Sequence, residues 1–378
     1  MAKNTKDLKK LAGMVTLMLA FAVAGYYAGK LGLKASQNID KPVILGLLLL
    51  LIPLFLFVIG VHEAGHALAG KWVQFEFRMY VVGPFMWNKK ADGWHFEWNK
   101  HLNLAGGMVI CLPADNKALS KRFSIYAAGG PLASFALAIL AFLLYRWLYT
   151  PGVNAGTVLT VITYSSLITA FLSVLIGIVT SIPMHTGGFS TDGARILRLL
   201  RGGDTARFET LVIQIYTSST SGVRPALLNR DDLQEAQILA NRLQAPLGVY
   251  LHSFFHQAAF DRGEINQAEK YLLDYIQATE EIPAAIRNMV WLDAAFFYAY
   301  AKKDLTTSAG YWAKFKPTAM IPKALMLATE AALYSLKNDT GTAQTKAKAA
   351  LQEIPNMMDK GMGLALRDKM TQLQNELG

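Results

Sequence analysis

The sequence predicts a mainly helical protein. A polytopic membrane helix bundle of about four spans carries a membrane-associated β-hairpin and is followed by a soluble α-helical repeat domain. Three observations lead there. Long uncharged runs fill the first half of the chain, a segment between two of them alternates with period two, and the second half is patterned as amphipathic helices. Of 378 residues, 53% are hydrophobic and 17% charged. Such a chain is too apolar to be disordered. A single cysteine, Cys111, excludes a disulfide framework and a thiolate zinc cluster.

The formal net charge is +10, which invites a nucleic-acid reading. Residues 1–200 hold 18 Lys+Arg against 8 Asp+Glu, whereas residues 201–378 hold 19 of each. The excess therefore sits entirely in the apolar half, and the half that would meet nucleic acid in the cytoplasm is neutral. No nucleic-acid partner is expected; the basic residues read as the margins of a membrane bundle in contact with lipid.

An uncharged run of about 18 residues or more crosses a hydrocarbon layer roughly 30 Å thick. There are 19 uncharged residues between Lys10 and Lys30, 20 between Lys41 and His62, and 23 between Arg122 and Arg146. A fourth span follows the Pro151-Gly152 break, over about 155–182. These runs divide the chain into an N-terminal transmembrane segment (1–34), a membrane core (42–203) and a helical-repeat domain (204–378). For the first span the alternative is a signal peptide, since Ala22-Val23-Ala24 resembles a cleavage site. Basic residues in short flanking loops set orientation. Lys3, Lys6, Lys9 and Lys10 place the N-terminus in the cytoplasm. Lys71, Arg78, Lys89, Lys90, Lys100, Lys117, Lys121 and Arg122 place residues 62–122 there too. The expectation is a multi-pass cell-membrane protein whose site and C-terminal domain face the cytoplasm.

Between the second and third spans the period becomes two. Phe75, Phe77, Met79 and Val81 alternate with polar neighbours, as do Trp94, Phe96 and Trp98, and Gly83-Pro84 and Asp92-Gly93 supply turns. This predicts two strands with one aromatic face resting in lipid or on the bundle. An edge of this 73–98 pair is a candidate cradle for an unwound peptide by β-augmentation; plugging the bundle or anchoring it at the interface is the alternative.

The second span ends in His62-Glu63-Ala64-Gly65-His66. On a helix, residues i and i+4 share a face, so both imidazoles can bind one Zn²⁺ while the Glu reaches a water on the metal. Ionisable groups at membrane depth are costly and usually functional. A catalytic zinc commonly has three protein ligands. Asp192, following the fourth span on the same side as the motif, is the candidate third ligand; its competing role is N-cap of a helix starting near Ala194. His185 is placed near the site rather than on the metal, and His95 and His101 are given no role.

The HEAGH motif ending a span, Gly129-Gly130-Pro131-Leu132-Ala133-Ser134 opening the next, and Pro183 to Asp192-Gly193 after another resemble the site-2 protease family of intramembrane zinc metalloproteases. The resemblance covers about residues 43–200. It implies that His62, His66 and Asp192 bind zinc, that Glu63 activates water, and that 42–203 is the protease core. The substrate would be a transmembrane peptide or protein, cut near the cytoplasmic face, such as a membrane-tethered regulator or a signal-peptide remnant. Where the family commonly has two Asn residues that contact substrate or transition state, this chain has Ser134 and Thr180. Both hydroxyls can donate hydrogen bonds. The gap from Pro183 to Asp192 is longer than common in the family. The alternative is an inactive, protease-like membrane scaffold acting through its repeats, against which the four intact residues argue.

From about residue 204 the chain reads as helical hairpins. Leu251–Ala278 forms two amphipathic helices around Asp261-Arg262-Gly263, with related patterns at Lys302-Lys303-Asp304 and Asn338-Asp339. Aligning Ala268, Ala309 and Ala347 gives spacings of 41 and 38, loosely resembling tetratricopeptide repeats. Such arrays commonly offer a concave surface for a protein partner, here a cytoplasmic one. His252 and His256, also at i and i+4, have no acid between them and are expected to serve packing.

Overall fold

Runs of Leu, Ile, Val and Phe too long for an amphipathic surface helix fold as α1 (Lys41–Trp72), α2 (Leu119–Leu148) and α3 (Thr157–Ser181). The structure is a computed structural model and describes residues 39–99, 106–151, 156–186, 189–245, 248–279, 288–317 and 321–378. These three helices are long and apolar enough to cross a membrane. The first expected span lies outside the described residues. Leu45, Leu48, Leu49 and Ile52 of α1 project outward from the protein, as a lipid-facing surface requires.

The chain divides into two compact units. One comprises the chain up to Phe55 together with Ala138–Leu172; the other comprises Leu56–Leu137 and Ser173–Gly378. In the first, Gly46 lies against the Val161 side chain, so α1 and α3 meet closely there. The second holds every candidate site residue.

Between α1 and α2 the structure has four strands where the sequence suggested two: β1 (Phe75–Val82), β2 (Phe85–Lys90), β3 (Gly93–Trp98) and β4 (Met108–Pro113), in the order β3-β2-β1-β4. All neighbouring pairs are antiparallel. Val82 pairs with Phe85 across the Gly83-Pro84 turn, and Gly83 takes a positive φ of 54° that favours glycine. A bulge in β1 between Phe77 and Met79 shifts the side-chain alternation by one at Arg78. Phe75, Phe77, Tyr80 and Val82 therefore share one face, and Met79 and Val81 point to the other. The aromatic face continues through Trp87, Phe96 and Trp98 by cross-strand pairing. Part of it packs on the helices: Phe75 lies beside Phe123 and Tyr126, and the Tyr80 hydroxyl donates to the Gly60 carbonyl at 2.5 Å. Trp94, Phe96 and Trp98 remain exposed. β1 is an interior strand, so the edges are β3 and β4 and not the β1 side of the expected pair.

The opposite sheet face is covered by the chain's own C-terminal half. Met358 packs on Met79, Val81 and Met86, the Ala91 N–H donates to Asn356 Oδ1 at 3.2 Å, and Lys360 approaches Glu76 at 4.0 Å.

After α3, a two-residue hairpin of β5 (His185–Thr186) and β6 (Phe189–Ser190) leads into α4 (Asp192–Arg201) and α5 (Gly203–Ser221). Among the described residues, eight further α-helices follow: α6 (Arg230–Leu243), α7 (Val249–Asp261), α8 (Ile265–Thr279), α9 (Asn288–Tyr300), α10 (Leu305–Lys314), α11 (Lys323–Leu336), α12 (Thr340–Glu353) and α13 (Lys360–Leu377). The pairs α7–α8, α9–α10 and α11–α12 each turn through one left-handed residue, Gly263 (φ 77°), Lys303 (φ 52°) and Asn338 (φ 60°). The residue after each starts the next helix, its carbonyl accepting from Ala268, Ser308 and Ala343. All three of these small residues are fully buried. Of the alanines aligned from the sequence, Ala268 and Ala347 are buried and Ala309 is exposed, and Ala347 lies one turn beyond Ala343 in α12. His256 is buried with Nδ1 at 2.8 Å from the Ala268 carbonyl; burial lowers its pKa to about 4, so it is a neutral packing residue.

Candidate metal centre

The HExxH segment lies inside α1, so His62 and His66 project one turn apart on one face. The facing surface is the Gly-Gly-Pro-Leu-Ala-Ser segment of α2. Gly65 and Gly129 touch backbone to backbone, and Ala133 and Ala69 fill the sides of that contact. Small residues at such a crossing let two helices approach closely. Gly130 lies directly beneath both imidazoles: a β-carbon there would meet His66 Nε2 and come within 2.7 Å of His62 Cε1 and Nε2.

Both rings are held from behind. His66 Nδ1 is 2.9 Å from the Tyr126 carbonyl. A carbonyl only accepts, so His66 carries its proton on Nδ1 and leaves Nε2 with a free lone pair. His62 Nδ1 is 2.9 Å from Ser134 Oγ. On the other side, each Nε2 lies 3.4 Å from Asp192 Oδ2.

Asp192 arrives from the start of α4. The N-cap of that helix is Thr191, whose hydroxyl accepts from the Ala194 N–H at 3.3 Å and donates to the Ile182 carbonyl at 2.7 Å. Asp192 is therefore the first helical residue and not the cap, and its carboxylate is left for the site. Gly193 packs its α-carbon against the Ser181 carbonyl at the end of α3, which explains why glycine follows the aspartate. Burial works against ionisation of Asp192, but the neighbouring His62 and His66 prevail and hold the carboxyl down at about 2. It is an anionic donor at neutral pH.

The ligand atoms of His62, His66 and Asp192 all lie within 4.8 Å of one another, and this group could hold a metal ion. Two imidazole nitrogens and one carboxylate oxygen are a donor set of the catalytic zinc type, three protein ligands with a position to spare. Glu63, also buried, has its Oε1 against Gly107, whose φ is 96°. The start of β4 therefore lies beside the carboxylate of the motif.

Ser134 and Thr180 were expected to contact substrate. Ser134 is 1% exposed and bonded to His62. Thr180 donates its hydroxyl back to the Ile176 carbonyl of its own helix at 2.9 Å. His95, given no role, is paired with Asp92 at 2.8 Å. Burial pushes the Cys111 thiol up to about 12, so it is inert at neutral pH. The His185 side chain and His101 lie outside the described residues. Two contributors to the site do not stand out in the sequence: the Tyr126 carbonyl and Gly107. A main-chain acceptor carries no side-chain signature, whereas Gly130 and Ser134 at i and i+4 do mark one face of α2.

Fold and site together define a mainly helical protein with, among the described residues, three helices long and apolar enough to cross a membrane and an HExxH histidine pair that could hold a metal ion together with an aspartate. Residues 50–191 match Peptidase family M50, the site-2 protease family. No curated protein and no solved structure matches the chain.

Proposed function

We propose that the chain is an intramembrane zinc metalloendopeptidase that cleaves single-span membrane proteins or signal-peptide remnants near the cytoplasmic face. The observation that carries this reading is the convergence of His62, His66 and Asp192 beside Glu63, the first two and Glu63 within the segment that matches the site-2 protease family and Asp192 directly after it. His62 lies 21 residues beyond Lys41. At about 1.5 Å per residue that is roughly 32 Å along α1, the far margin of a layer about 30 Å thick. Water reaches the motif from that margin.

His62, His66 and Asp192 would hold the zinc, which when bound supplies Lewis acidity to acidify a water and polarise the scissile carbonyl. Glu63 takes a proton from the attacking water and delivers it to the leaving amine as the C–N bond breaks. A helical substrate hides its carbonyls in its own hydrogen bonds, so the segment to be cut must unwind. An edge of the sheet receives it by strand addition, and of the two edges β4 begins beside Glu63. The C-terminal helices recruit or gate substrate from the cytoplasm, as a repeat array presenting a protein-binding surface.

The test is cleavage of a panel of single-span substrates by the full chain in lipid vesicles. Cleavage should stop on addition of a strong zinc chelator and return on adding back zinc. Cleavage that persists through complete removal of zinc would rule the reading out.

A further inference from the structure

We infer that Ser134 is a positioning residue for His62: its hydroxyl oxygen accepts the His62 Nδ1–H and holds the imidazole so that Nε2 faces Asp192. This inference rests on the metal-site reading above and adds to it a role that the family resemblance does not give this position.

The two histidines are oriented by unlike means. His66 is held by the main-chain carbonyl of Tyr126 at 2.9 Å, an acceptor that no substitution removes. His62 is held at the same distance by a side chain, Ser134 Oγ. Both partners are nearly inaccessible, with Ser134 at 1% and His62 at 5% exposure, so the hydrogen bond has no competition from bulk water. The helix makes the contact inevitable. Gly130 and Ser134 lie at i and i+4 on α2, hence on one face. Gly130 gives the two rings room, and the next residue on that face meets the back of His62. With Asp192 Oδ2 at 3.4 Å from Nε2 on the opposite side, the His62 ring is gripped along its Nδ1–Nε2 axis.

The protonation follows. A ligand nitrogen must be unprotonated, so the metal-competent His62 has its hydrogen on Nδ1, and Ser134 Oγ must then act as acceptor. Removing that acceptor leaves a buried N–H unpaired and frees the ring to take the other tautomer. A substrate-contacting hydroxyl would behave differently: its loss would weaken catalysis and leave the metal site unchanged.

The experiment measures zinc binding itself. The full chain is purified in detergent, stripped of metal and titrated with zinc against a chromophoric chelator; cleavage is then assayed at saturating zinc. Ser134→Ala and the near-isosteric Ser134→Cys should bind one zinc about 10- to 100-fold more weakly, while Ser134→Thr, which keeps the hydroxyl, should stay within about threefold of wild type. At saturating zinc the KM of Ser134→Ala should be unchanged. Wild-type zinc affinity in both Ser134→Ala and Ser134→Cys would overturn the inference, and a loss of kcat/KM with that affinity retained would return Ser134 to substrate contact. A wild-type chain that binds no zinc would instead overturn the metalloprotease reading as well.

Discussion

Single residues at the centre are fixed from two sides, a metal-facing atom and a partner behind it. His66 has Asp192 before it and the Tyr126 carbonyl behind; Asp192 is freed because Thr191 takes over the capping. Another carboxyl is left without such help. Asp293 in α9 is 4% exposed, and among the described residues its Oδ2 has no hydrogen-bond partner. Burial pushes its pKa up from the usual 3.8 to about 8. A carboxyl whose folded pKa is raised keeps its proton in the native state while the unfolded chain releases it. Its stabilising effect is therefore complete below about pH 4 and is lost as pH rises towards 8. Asp293→Asn removes this dependence. The thermal midpoint of wild type should fall relative to the variant between about pH 5 and pH 8.5. At the upper end the variant should be the more stable by a few kcal/mol, since each tenfold difference in proton affinity between folded and unfolded chain is worth about 1.4 kcal/mol. Parallel stability curves for the two proteins across that range would contradict the assignment.

Helix ends and crossings carry the geometry that single residues need. Gly193 is required because α4 starts against the Ser181 carbonyl that ends α3. Gly193→Ala must push the first turn of α4 outward and take Asp192 with it. Zinc affinity should fall by about tenfold or more, a loss of the size seen when a ligand is mispositioned. Gly341→Ala in α12, where an added β-carbon meets open space, should leave it unchanged; equal affinities in both variants would contradict this role for Gly193. The three long apolar helices, the HExxH helix and the three hairpin turns were legible in the sequence because each writes a local pattern: an uncharged run, a spacing of four, a charged turn before an amphipathic helix. Strands β2 and β4 were not. Lys89-Lys90 ends the alternation of β2 early, and Met108–Pro113 is a continuous apolar run that periodicity does not distinguish from loop or helix. The bulge at Arg78 conceals which residues of β1 share a face, since both halves alternate on their own. The alanine spacing picked Ala309, but the buried small residue there is Ser308, whose hydroxyl donates to the Ala295 carbonyl at 2.7 Å and so hides a polar side chain in the core.

Across the second unit, the site is built into a continuous body. The sheet carries its aromatic face towards α1 and α2 and its Met79-Val81-Met86 face under Met358. The helix bearing Asp192 is tied to the next by the ion pair of Arg198 with Glu209, and Arg198 also reaches Ser190 at 3.1 Å. The C-terminal half is thus structurally joined to the third candidate ligand as well as to the sheet. The charge is divided along the chain as well: residues 201–378 are neutral, and the surplus of 10 positive charges lies in residues 1–200. The central claim is that His62, His66 and Asp192 bind zinc while Glu63 moves the proton in peptide cleavage. It is tested most directly by comparing wild type with Glu63→Gln for zinc content and for cleavage of one single-span substrate. Both proteins should hold one zinc per chain, and the variant should lose cleavage by about 10²- to 10⁴-fold. Equal cleavage by the two proteins at equal zinc content would contradict it.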